Sequence, residues 1–291
     1  MAIIELEEVS KLYGFGDATT VALDEVSLKI EPGEFVAIMG PSGSGKTTLM
    51  NIIGLLDRPT HGKYELGGKS VARLRQSQQA KARRDSIGFI FQSFNLLPRL
   101  TVLDNVALPL AYKGMTQVRR QKAASKMLER IGLLEREYYM PRHLSGGQAQ
   151  RVAIARALIN DPKIVIADEP TGNLDSASSR LVMELLADIH KTGNTILMVT
   201  HNPELTRYAS RVIFMHDGSI MEDMQSEIGE VPDVARRSMY FMPRTTEEDD
   251  LAGVSALMQA IPESEAKKSV KEKKKSVKPK KYQSRKKGKG K

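Results

Sequence analysis

Short apolar runs alternate with amphipathic stretches along the first 225 residues, which is the pattern of an α/β fold. The apolar runs predict strands at residues 3–9, 26–30, 35–39, 87–91, 164–167, 195–200 and 212–215. A run as continuous as residues 164–167 indicates a strand covered on both faces, as in a parallel core sheet. Asp217-Gly218 is a typical hairpin turn and predicts one further strand at residues 219–221.

The chain between about residues 93 and 160 has no predicted strand. Its apolar residues instead recur at helical spacing over residues 117–131 and 149–158. Another apolar stretch, residues 48–56, predicts a helix packed on the sheet. We therefore expect residues 1–225 to form one α/β domain with a helical insertion at about 93–160.

The pattern weakens after residue 225. Residues 226–265 are predicted to be an extension with an amphipathic helix at residues 247–261, because acidic residues occupy its first turn and Pro262 ends it. Residues 266–291 are rich in Lys, Ser and Gly and cannot form a core. They are predicted to be a disordered tail.

Charge and composition narrow the classes of protein. The net charge of +9 is concentrated in residues 267–291, which contain 14 Lys and Arg and one acidic residue. The remainder is mildly acidic, so the basic tail does not indicate a nucleic-acid-binding domain. The absence of cysteine excludes disulfides, iron–sulfur clusters and thiol catalysis. No apolar run approaches 18 residues and the N-terminus is acidic, so we expect a cytoplasmic protein without a transmembrane helix or signal peptide.

The first chemical motif is a glycine-rich loop. Residues 40–47, Gly-Pro-Ser-Gly-Ser-Gly-Lys-Thr, match G-x-x-x-x-G-K-[ST], between a predicted strand and a predicted helix. Such glycines let successive backbone N–H groups point at one anion, and the helix N-terminus adds its dipole. Lys46 would reach the β- and γ-phosphates, and the Thr47 hydroxyl would bind Mg²⁺. A loop without function is the alternative, which the strand–loop–helix context disfavours.

A phosphate loop needs an acidic partner on a neighbouring strand. Asp168 follows the apolar run 164–167 and would stand at the carboxyl end of a core strand, where it could hold Mg²⁺. Glu169 is then suitably placed to polarise an attacking water. The alternative is an acidic pair that merely ends a strand.

A second anion site is predicted at residues 144–148, Leu-Ser-Gly-Gly-Gln, at the start of a predicted helix. One nucleotide does not need two such loops from one subunit, which suggests a partner subunit. This sequence lies about 100 residues after the phosphate loop and shortly before Asp168-Glu169, and here the motifs resemble those of ATP-binding cassette (ABC) ATPases. The resemblance covers about residues 1–222.

This resemblance implies a P-loop cassette fold with a mostly parallel core sheet, an N-terminal antiparallel β subdomain and an inserted helical subdomain. It implies ATP and Mg²⁺ as ligands, and a head-to-tail homodimer that encloses two ATP molecules. The residues matching the phosphate loop are Gly40, Ser42, Gly43, Ser44, Gly45, Lys46, Thr47 and Thr48. The residues matching the signature that would hold ATP on the other subunit are Ser145, Gly146, Gly147 and Gln148. Asp175 matches the loop that crosses the dimer interface.

Further roles follow from the same resemblance. Glu169 would be the catalytic base, and His201 would contact the γ-phosphate. Gln92 would sense Mg²⁺, water and a membrane subunit, and together with Lys46 it completes the expected catalytic set. Simpler alternatives are that Gln92 is a solvated strand end and that His201 caps a strand.

Two ligand contacts remain. Mg²⁺ would be held by Thr47, Gln92 and Asp168. Tyr13 would stack on adenine, although an ordinary loop aromatic is the alternative.

Four segments, residues 53–60, 88–98, 101–106 and 168–175, look like the macrolide-exporter and lipoprotein-release branch of the family. That branch couples ATP hydrolysis to a four-helix permease by transmitting motion. Ala149 departs from it, since a polar residue is usual there.

The resemblance implies a separate integral membrane permease that docks at about residues 93–112. It implies a peripheral location on the cytoplasmic face of the inner membrane. The expected substrates are lipoproteins, peptides, antibiotics or other amphiphiles. The tail would be a solubilising end or a contact with anionic lipid.

Two other functions stay open. A cell-division cassette of the same branch signals through a membrane partner without transport. A soluble cassette acting on nucleic acid or ribosomes is disfavoured, because the chain has one cassette and a glutamine-loop region that resembles a permease dock.

Overall fold

The structure is a computed structural model and describes residues 1–14 and 19–237. The strands are β1 (Ile4–Tyr13), β2 (Thr20–Ile30), β3 (Phe35–Met39), β4 (His61–Leu66), β5 (Lys69–Ser70), β6 (Ile87–Ile90), β7 (Ile164–Asp168), β8 (Thr195–Val199), β9 (Arg211–His216) and β10 (Ser219–Gln225). The helices are α1 (Lys46–Ile53), α2 (Gln76–Ser86), α3 (Val102–Tyr112), α4 (Gln117–Arg130), α5 (Gly146–Leu158), α6 (Ser176–Lys191) and α7 (Asp233–Arg237). Short 3₁₀ turns occupy Leu134–Arg136, Pro141–His143 and Pro203–Tyr208.

The central sheet has the strand order β10-β9-β3-β8-β7-β6. The five strands from β9 to β6 in this order run parallel, and β10 pairs antiparallel with β9. β3 and β8 are buried along their whole length, which agrees with the continuous apolar runs that predicted them. Because all five parallel strands end at the same edge, the loops after them meet there.

The two faces of the central sheet belong to different cores. On one face Ile38 and Ile166 pack with α1 residues such as Leu49 and with residues of β1, β2 and β4. On the other face Ala37 and Val165 pack with residues of α5, α6 and α7. Successive residues of one strand therefore serve opposite layers, as expected for a buried parallel strand.

The smaller sheet is antiparallel with the order β2-β1-β4-β5, which confirms the expected N-terminal β subdomain. β1 and β2 extend well beyond the predicted residues 3–9 and 26–30. β4 was not predicted, because Tyr64 and Leu66 are its only buried residues. α2 was also missed, because it is almost entirely polar and buries only Gln79.

Residues 93–160 contain no strand and are largely helical, as predicted. α3, α4 and α5 of this insertion surround a third hydrophobic core. α5 begins at Gly146 rather than at residue 149, because Ser145 caps the helix and the two glycines form its first turn. α1 spans Lys46–Ile53 rather than 48–56, because Gly54 caps it and Leu55 adopts a left-handed conformation with φ 55°. The strand predicted at residues 87–91 ends at Ile90, so that Gln92 lies in the turn beyond it.

The predicted C-terminal extension contains α7 at its start. The amphipathic helix predicted at residues 247–261 and the tail at 266–291 lie outside the described residues. Within residues 1–14 and 19–237, no helix has the length and apolar character needed to cross a bilayer.

Candidate functional site

The phosphate loop follows β3 and turns into α1. Gly40 has φ 147°, and a Cβ there would lie 2.1 Å from the carbonyl oxygen of Met215. Gly45 has φ 93° and caps α1, where a Cβ would lie 2.6 Å from the Ala22 carbonyl oxygen. Side chains at these positions would collide with backbone, so the tight path of the loop depends on glycine. The loop thus delivers the N-terminus of α1 to the carboxyl edge of the sheet.

Lys46 folds back over its own loop. Its Nζ donates hydrogen bonds to the carbonyl oxygens of Gly40 (2.8 Å) and Pro41 (2.6 Å), and to Ser44 Oγ (3.3 Å). Burial lowers the pKa of Lys46, and the nearby Glu169 and Asp168 carboxylates oppose that shift. All three hydrogen-bond partners are neutral, so phosphate oxygens would bind this ammonium more strongly than its present partners do.

Two carboxylates stand beside this cation at the end of β7. Asp168 pairs with Val199 of the adjacent β8, and β8 in turn pairs with β3. Burial and the neighbouring Glu169 raise the pKa of Asp168, and Lys46 lowers it. Among the described residues, no hydrogen bond reaches the Asp168 carboxylate. A half-buried carboxylate of this kind is suited to a cation.

Glu169 is held by the residues after β8. Its Oε1 accepts hydrogen bonds from the backbone N–H of His201 (2.8 Å) and lies 2.6 Å from His201 Nδ1. Its Oε2 accepts a hydrogen bond from Thr200 Oγ1 (3.1 Å). Its backbone has φ 43°, and its N–H donates to Val199 O. The carboxylate therefore has one defined orientation, next to a His201 side chain that is 56% exposed.

Gln92 lies against the loop that follows Glu169. Its Nε2 donates to Asn173 Oδ1 (3.4 Å), and Asn173 Nδ2 donates to the Gln92 carbonyl oxygen (3.1 Å). A Cβ on Gly172 would lie 2.6 Å from Gln92 Nε2, so the amide of Gln92 occupies the space that a side chain there would need. Gln92 therefore belongs to the same edge as the carboxylates.

The predicted second anion site is the N-terminus of α5. Ser145 Oγ accepts from the N–H of Gln148 (3.3 Å), and Gln148 Oε1 accepts from the N–H of Ser145 (3.0 Å). This reciprocal capping box gives Gln148 a structural role. A Cβ on Gly147 would lie 2.6 Å from Ser178 Oγ, so the start of α6 packs directly on the start of α5.

Asp175 caps α6 by accepting from Ser178 N–H (2.9 Å) and Ser178 Oγ (2.7 Å). These hydrogen bonds lower the pKa of Asp175. The interface loop expected around Asp175 thus lies beside the signature residues of the same chain.

Tyr13 ends β1 and is 42% exposed. Its hydroxyl donates to Asp57 Oδ2 (2.8 Å), and Lys11 Nζ lies 4.8 Å from its ring centroid. Burial and Asp57 raise the pKa of Tyr13. The Tyr13 side chain, which is predicted to contact adenine, is therefore partly exposed while its hydroxyl is bound to Asp57.

Sequence reasoning missed three groups that shape this site: Thr200, Asn173 and Asp57. Thr200 and Asn173 adjoin residues that the motifs identified, but their hydrogen-bond partners lie about 30 and 81 positions away along the chain. Asp57 lies 44 residues from Tyr13. No local pattern reveals such pairs.

A phosphate loop on β3, adjoining carboxylates on β7 and a second glycine-rich helix start define a nucleotide-hydrolysing P-loop cassette. Residues 23–172 match the family model described as "ABC transporter". The chain belongs to the ABC transporter family and is an ATP-hydrolysing cassette of that family.

Several curated relatives are similar over the described fold. The macrolide export ATP-binding/permease protein MacB of Marinobacter nauticus is 48% identical over 226 residues, which is 78% of this chain and 35% of the relative. The uncharacterized ABC transporter ATP-binding protein YvrO of Bacillus subtilis is 47% identical, over 78% of this chain and 99% of the relative. The chain thus spans about a third of the MacB protein and nearly all of YvrO.

A solved structure has the same fold. The ATP-binding cassette MJ0796, described as a dimer in a post-hydrolysis state bound to ADP and Pi, superposes with a TM-score of 0.71. It is 44% identical, and the match covers 76% of this chain and 98% of that one. The match confirms the expected cassette architecture.

Proposed function

We propose that the chain is the energy-coupling subunit of an exporter, in which two copies bind ATP head to tail and drive a separate membrane permease. The observation that carries the proposal is the meeting of Lys46, Asp168, Glu169 and His201 at one edge of the central sheet. These are the groups that phosphoryl transfer to water requires.

The phosphates would lie on the N-terminus of α1, with Lys46 exchanging its backbone carbonyl partners for phosphate oxygens. Glu169 would accept a proton from the attacking water, since its carboxylate is already oriented by Thr200 and His201. The exposed His201 ring would contact the γ-phosphate. Positioning and charge stabilisation then supply most of the rate acceleration.

Thr47, Gln92 and Asp168 are proposed to hold Mg²⁺. They offer hydroxyl, amide and carboxylate oxygens, which are the ligands that this ion prefers. The Asp168 carboxylate accepts no hydrogen bond within the described part of the chain, which supports a role as a cation ligand. When bound, Mg²⁺ would neutralise charge on the phosphates.

The head-to-tail dimer is proposed because the signature residues and the phosphate loop need different nucleotides. Ser145, Gly146 and Gly147 would contact ATP held by the other copy, with Asp175 in the adjoining loop. The MJ0796 cassette, a relative at 44% identity, is described as dimeric. Its dimer supports the same assembly here.

A groove of about 700 Å³ supports the permease partner. It lies between α2, β6, α3 and α5, and apolar side chains including Phe89, Phe91, Leu108 and Tyr112 line it. Gln92 directly follows Phe91, which lines the groove. An occupant of the groove would therefore act on a residue at the carboxyl edge of the central sheet, which is the proposed catalytic edge. The residues predicted for docking, 93–112, supply only one side of this groove.

The MacB relatives are named as ATP-binding/permease proteins, and this chain matches about a third of their length. YvrO, matched over 99% of its length, is named as an ATP-binding protein. From the motifs that resemble this branch we propose a permease on a separate chain, an amphiphilic substrate, and a peripheral position on the cytoplasmic face of the membrane.

Isolation of the protein from detergent-solubilised membranes of its host, followed by identification of bound proteins, tests this proposal. A co-purifying permease is the expected result. Recovery only from the soluble fraction, or together with ribosomes or nucleic acid, would contradict it. A membrane partner whose loss alters wall hydrolysis but no export would instead favour the signalling function.

The basic residues 267–291 are proposed to bind anionic lipid, with each Lys near the surface contributing about 1 kcal/mol. Truncation at residue 266 should therefore weaken binding to phosphatidylserine vesicles at low salt, measured by flotation. Neutral vesicles and an RNA of matched charge serve as controls at the same salt concentration. Equal binding of both forms to anionic vesicles would remove this part of the proposal.

A further inference from the structure

Three side chains, those of Lys11, Tyr13 and Asp57, form a hydrogen-bonded cluster at the end of β1. Asp57 Oδ1 accepts from Lys11 Nζ (2.8 Å) and from the backbone N–H of Arg58 (2.7 Å). Asp57 Oδ2 accepts from the Tyr13 hydroxyl (2.8 Å). Each carboxylate oxygen thus has its own donor, and the cluster is fully paired.

The cluster is anchored on both sides. Lys11 Nζ also donates to the Arg58 carbonyl oxygen (2.9 Å), and its side chain is only 12% exposed. The Asp57 backbone N–H donates to Asn51 O in α1 (3.1 Å). β1 is therefore tied to the segment that leaves the phosphate-loop helix. Since α1 also begins at Lys46, one helix connects the phosphate loop to the cluster.

This arrangement fixes the Tyr13 ring. Asp57 holds its hydroxyl through a hydrogen bond of 2.8 Å. Lys11 Nζ lies over the ring, 4.8 Å from its centroid, and occupies one face. The side chain nevertheless remains 42% exposed, so part of it is accessible to a flat ligand.

We infer that Asp57 is a positioning residue for nucleobase recognition, because its hydrogen bond to the Tyr13 hydroxyl holds the ring in the orientation in which a base stacks on it. The inference rests on the proposed stacking role of Tyr13. A tyrosine tethered at its hydroxyl loses little freedom when a base stacks on it, whereas a free side chain loses rotamer entropy on binding. The Asp57 hydrogen bond therefore pre-organises base binding and leaves phosphate binding unchanged.

Comparison of ATP with inorganic tripolyphosphate separates the two parts of the ligand. Both would use the phosphate loop, but only ATP has a base. We propose calorimetric titrations of the full-length chain in EDTA, so that no hydrolysis occurs. The measured quantity is the ratio of the two dissociation constants, which a general loss of stability would not change selectively.

Tyr13→Ala should weaken ATP binding about tenfold, the scale of one base–aromatic stack, and leave tripolyphosphate binding unchanged. Asp57→Ala and Tyr13→Phe each remove the tether and should each weaken ATP binding about threefold. The double variant Tyr13→Phe/Asp57→Ala should equal either single variant, because both changes remove one hydrogen bond. Glu7 lies on the same strand as Tyr13 and forms an exposed ion pair with Lys63 of β4, so Glu7→Gln is the matched control.

The possible outcomes distinguish failure of the inference about Asp57 from failure of the proposed stacking role of Tyr13. If Tyr13→Ala leaves ATP binding unchanged, the stacking role of Tyr13 fails and the inference fails with it. If Tyr13→Ala weakens ATP binding but Asp57→Ala does not, the inference alone is wrong. If Asp57→Ala weakens ATP and tripolyphosphate equally, or its effect adds to that of Tyr13→Phe, Asp57 stabilises the fold and positions nothing.

A second readout uses fluorescence in place of calorimetry and replaces Asp57 by the isosteric Asn rather than by Ala. The chain contains no tryptophan, so Tyr13→Trp would introduce a single fluorophore. Its fluorescence should be quenched by ATP and unaffected by tripolyphosphate. The indole cannot donate to Asp57 in the same way as the phenol, so an added Asp57→Asn should leave this quenching unchanged. Loss of quenching in that double variant would overturn the inference.

Discussion

Both carboxylate oxygens of Glu169 accept hydrogen bonds at the carboxyl edge of the central sheet, which is the proposed catalytic edge. Two donors, Thr200 Oγ1 and the His201 backbone N–H, reach its two oxygens, and His201 Nδ1 lies 2.6 Å from one of them. Its own backbone nevertheless has a left-handed conformation. A left-handed non-glycine residue at such a position is a form of strain that commonly accompanies function. At the residue scale, hydrogen bonds therefore give the Glu169 carboxylate one defined orientation.

Glu169→Gln should keep ATP binding and lower the hydrolysis rate at least about 100-fold, because the amide retains the shape of the carboxylate but cannot accept a proton. ATPase assays and light scattering in ATP would measure this, and we also expect a stable dimer. Glu204→Gln is the control, since Glu204 is an exposed carboxylate paired with Arg207 on the following turn. Full activity of Glu169→Gln would refute its role as base.

Lys46→Ala should weaken ATP binding at least about tenfold, because it removes the only cation that bonds to the loop's own carbonyl oxygens among the described residues. Lys113→Ala is a matched control, since Lys113 also donates to a backbone carbonyl, that of Asn160, but lies elsewhere. Calorimetry with ATP would compare the two. Unchanged affinity in Lys46→Ala would contradict the phosphate-loop assignment.

Many of these residue identities were predictable because the motifs are local. The phosphate loop, Asp168 and Glu169 each occupy a few consecutive positions next to a recognisable strand. The partners that orient them were not predictable, because Thr200 and Asn173 contact the site only after the sheet has brought distant strands together.

At the element scale, the phosphate loop depends on glycine for two different reasons. Gly40 lacks room for a side chain, because its Cβ would lie 2.1 Å from Met215 O in β9. Gly43 has open space around it and requires only a positive φ of 81°. The two positions therefore separate steric from conformational demands within one loop.

Gly40→Ala should destabilise the fold by about 3 kcal/mol, combining overpacking with strain, whereas Gly43→Ala should cost about 1 kcal/mol. Thermal unfolding should then show a decrease in Tm of about 6–12 °C for Gly40→Ala and about 2–4 °C for Gly43→Ala. Equal shifts for the two variants would mean that the loop moves away from β9 at little cost.

The elements themselves were predictable in proportion to their apolar content. Buried strands such as β3 were located to the residue, since every position contributes. β4 and α2 were missed because only one or two of their residues face a core. The start of α5 was placed three residues late, because glycine is a poor helix former and the capping box of Ser145 outweighs that preference.

At the scale of the whole molecule, the catalytic edge and the groove adjoin. β6 lines the groove and ends two residues before Gln92, and Gln92 is hydrogen-bonded to the loop after Glu169. An occupant of the groove would therefore lie close to Gln92 and the loop after Glu169 without entering the proposed nucleotide site. The fold as a whole was predictable from the motifs, but the walls of this groove were not, since α2 forms one of them.

Tyr112→Glu should reduce recovery of the protein with its permease without changing ATP affinity. Tyr112 is 69% exposed at the rim of the groove, and a carboxylate there would have to be buried on docking. Tyr138→Glu is the control, because Tyr138 is 73% exposed and lies outside the groove. Equal recovery of the two variants from membranes would exclude this groove as the docking site.

Gly172 has a consequence for how the sequence can change over generations. Its backbone has no left-handed φ, and the atom that a side chain would meet first is the movable amide of Gln92. Selection for folding alone would therefore tolerate alanine at position 172, since Gln92 can swing away at little cost. Under the role proposed for Gln92, selection for coupled hydrolysis would not, because the displaced amide is the one that contacts Asn173 in the loop after Glu169. The residue at position 172 would thus distinguish related proteins that are selected for ATP hydrolysis from those that are selected only for a stable fold.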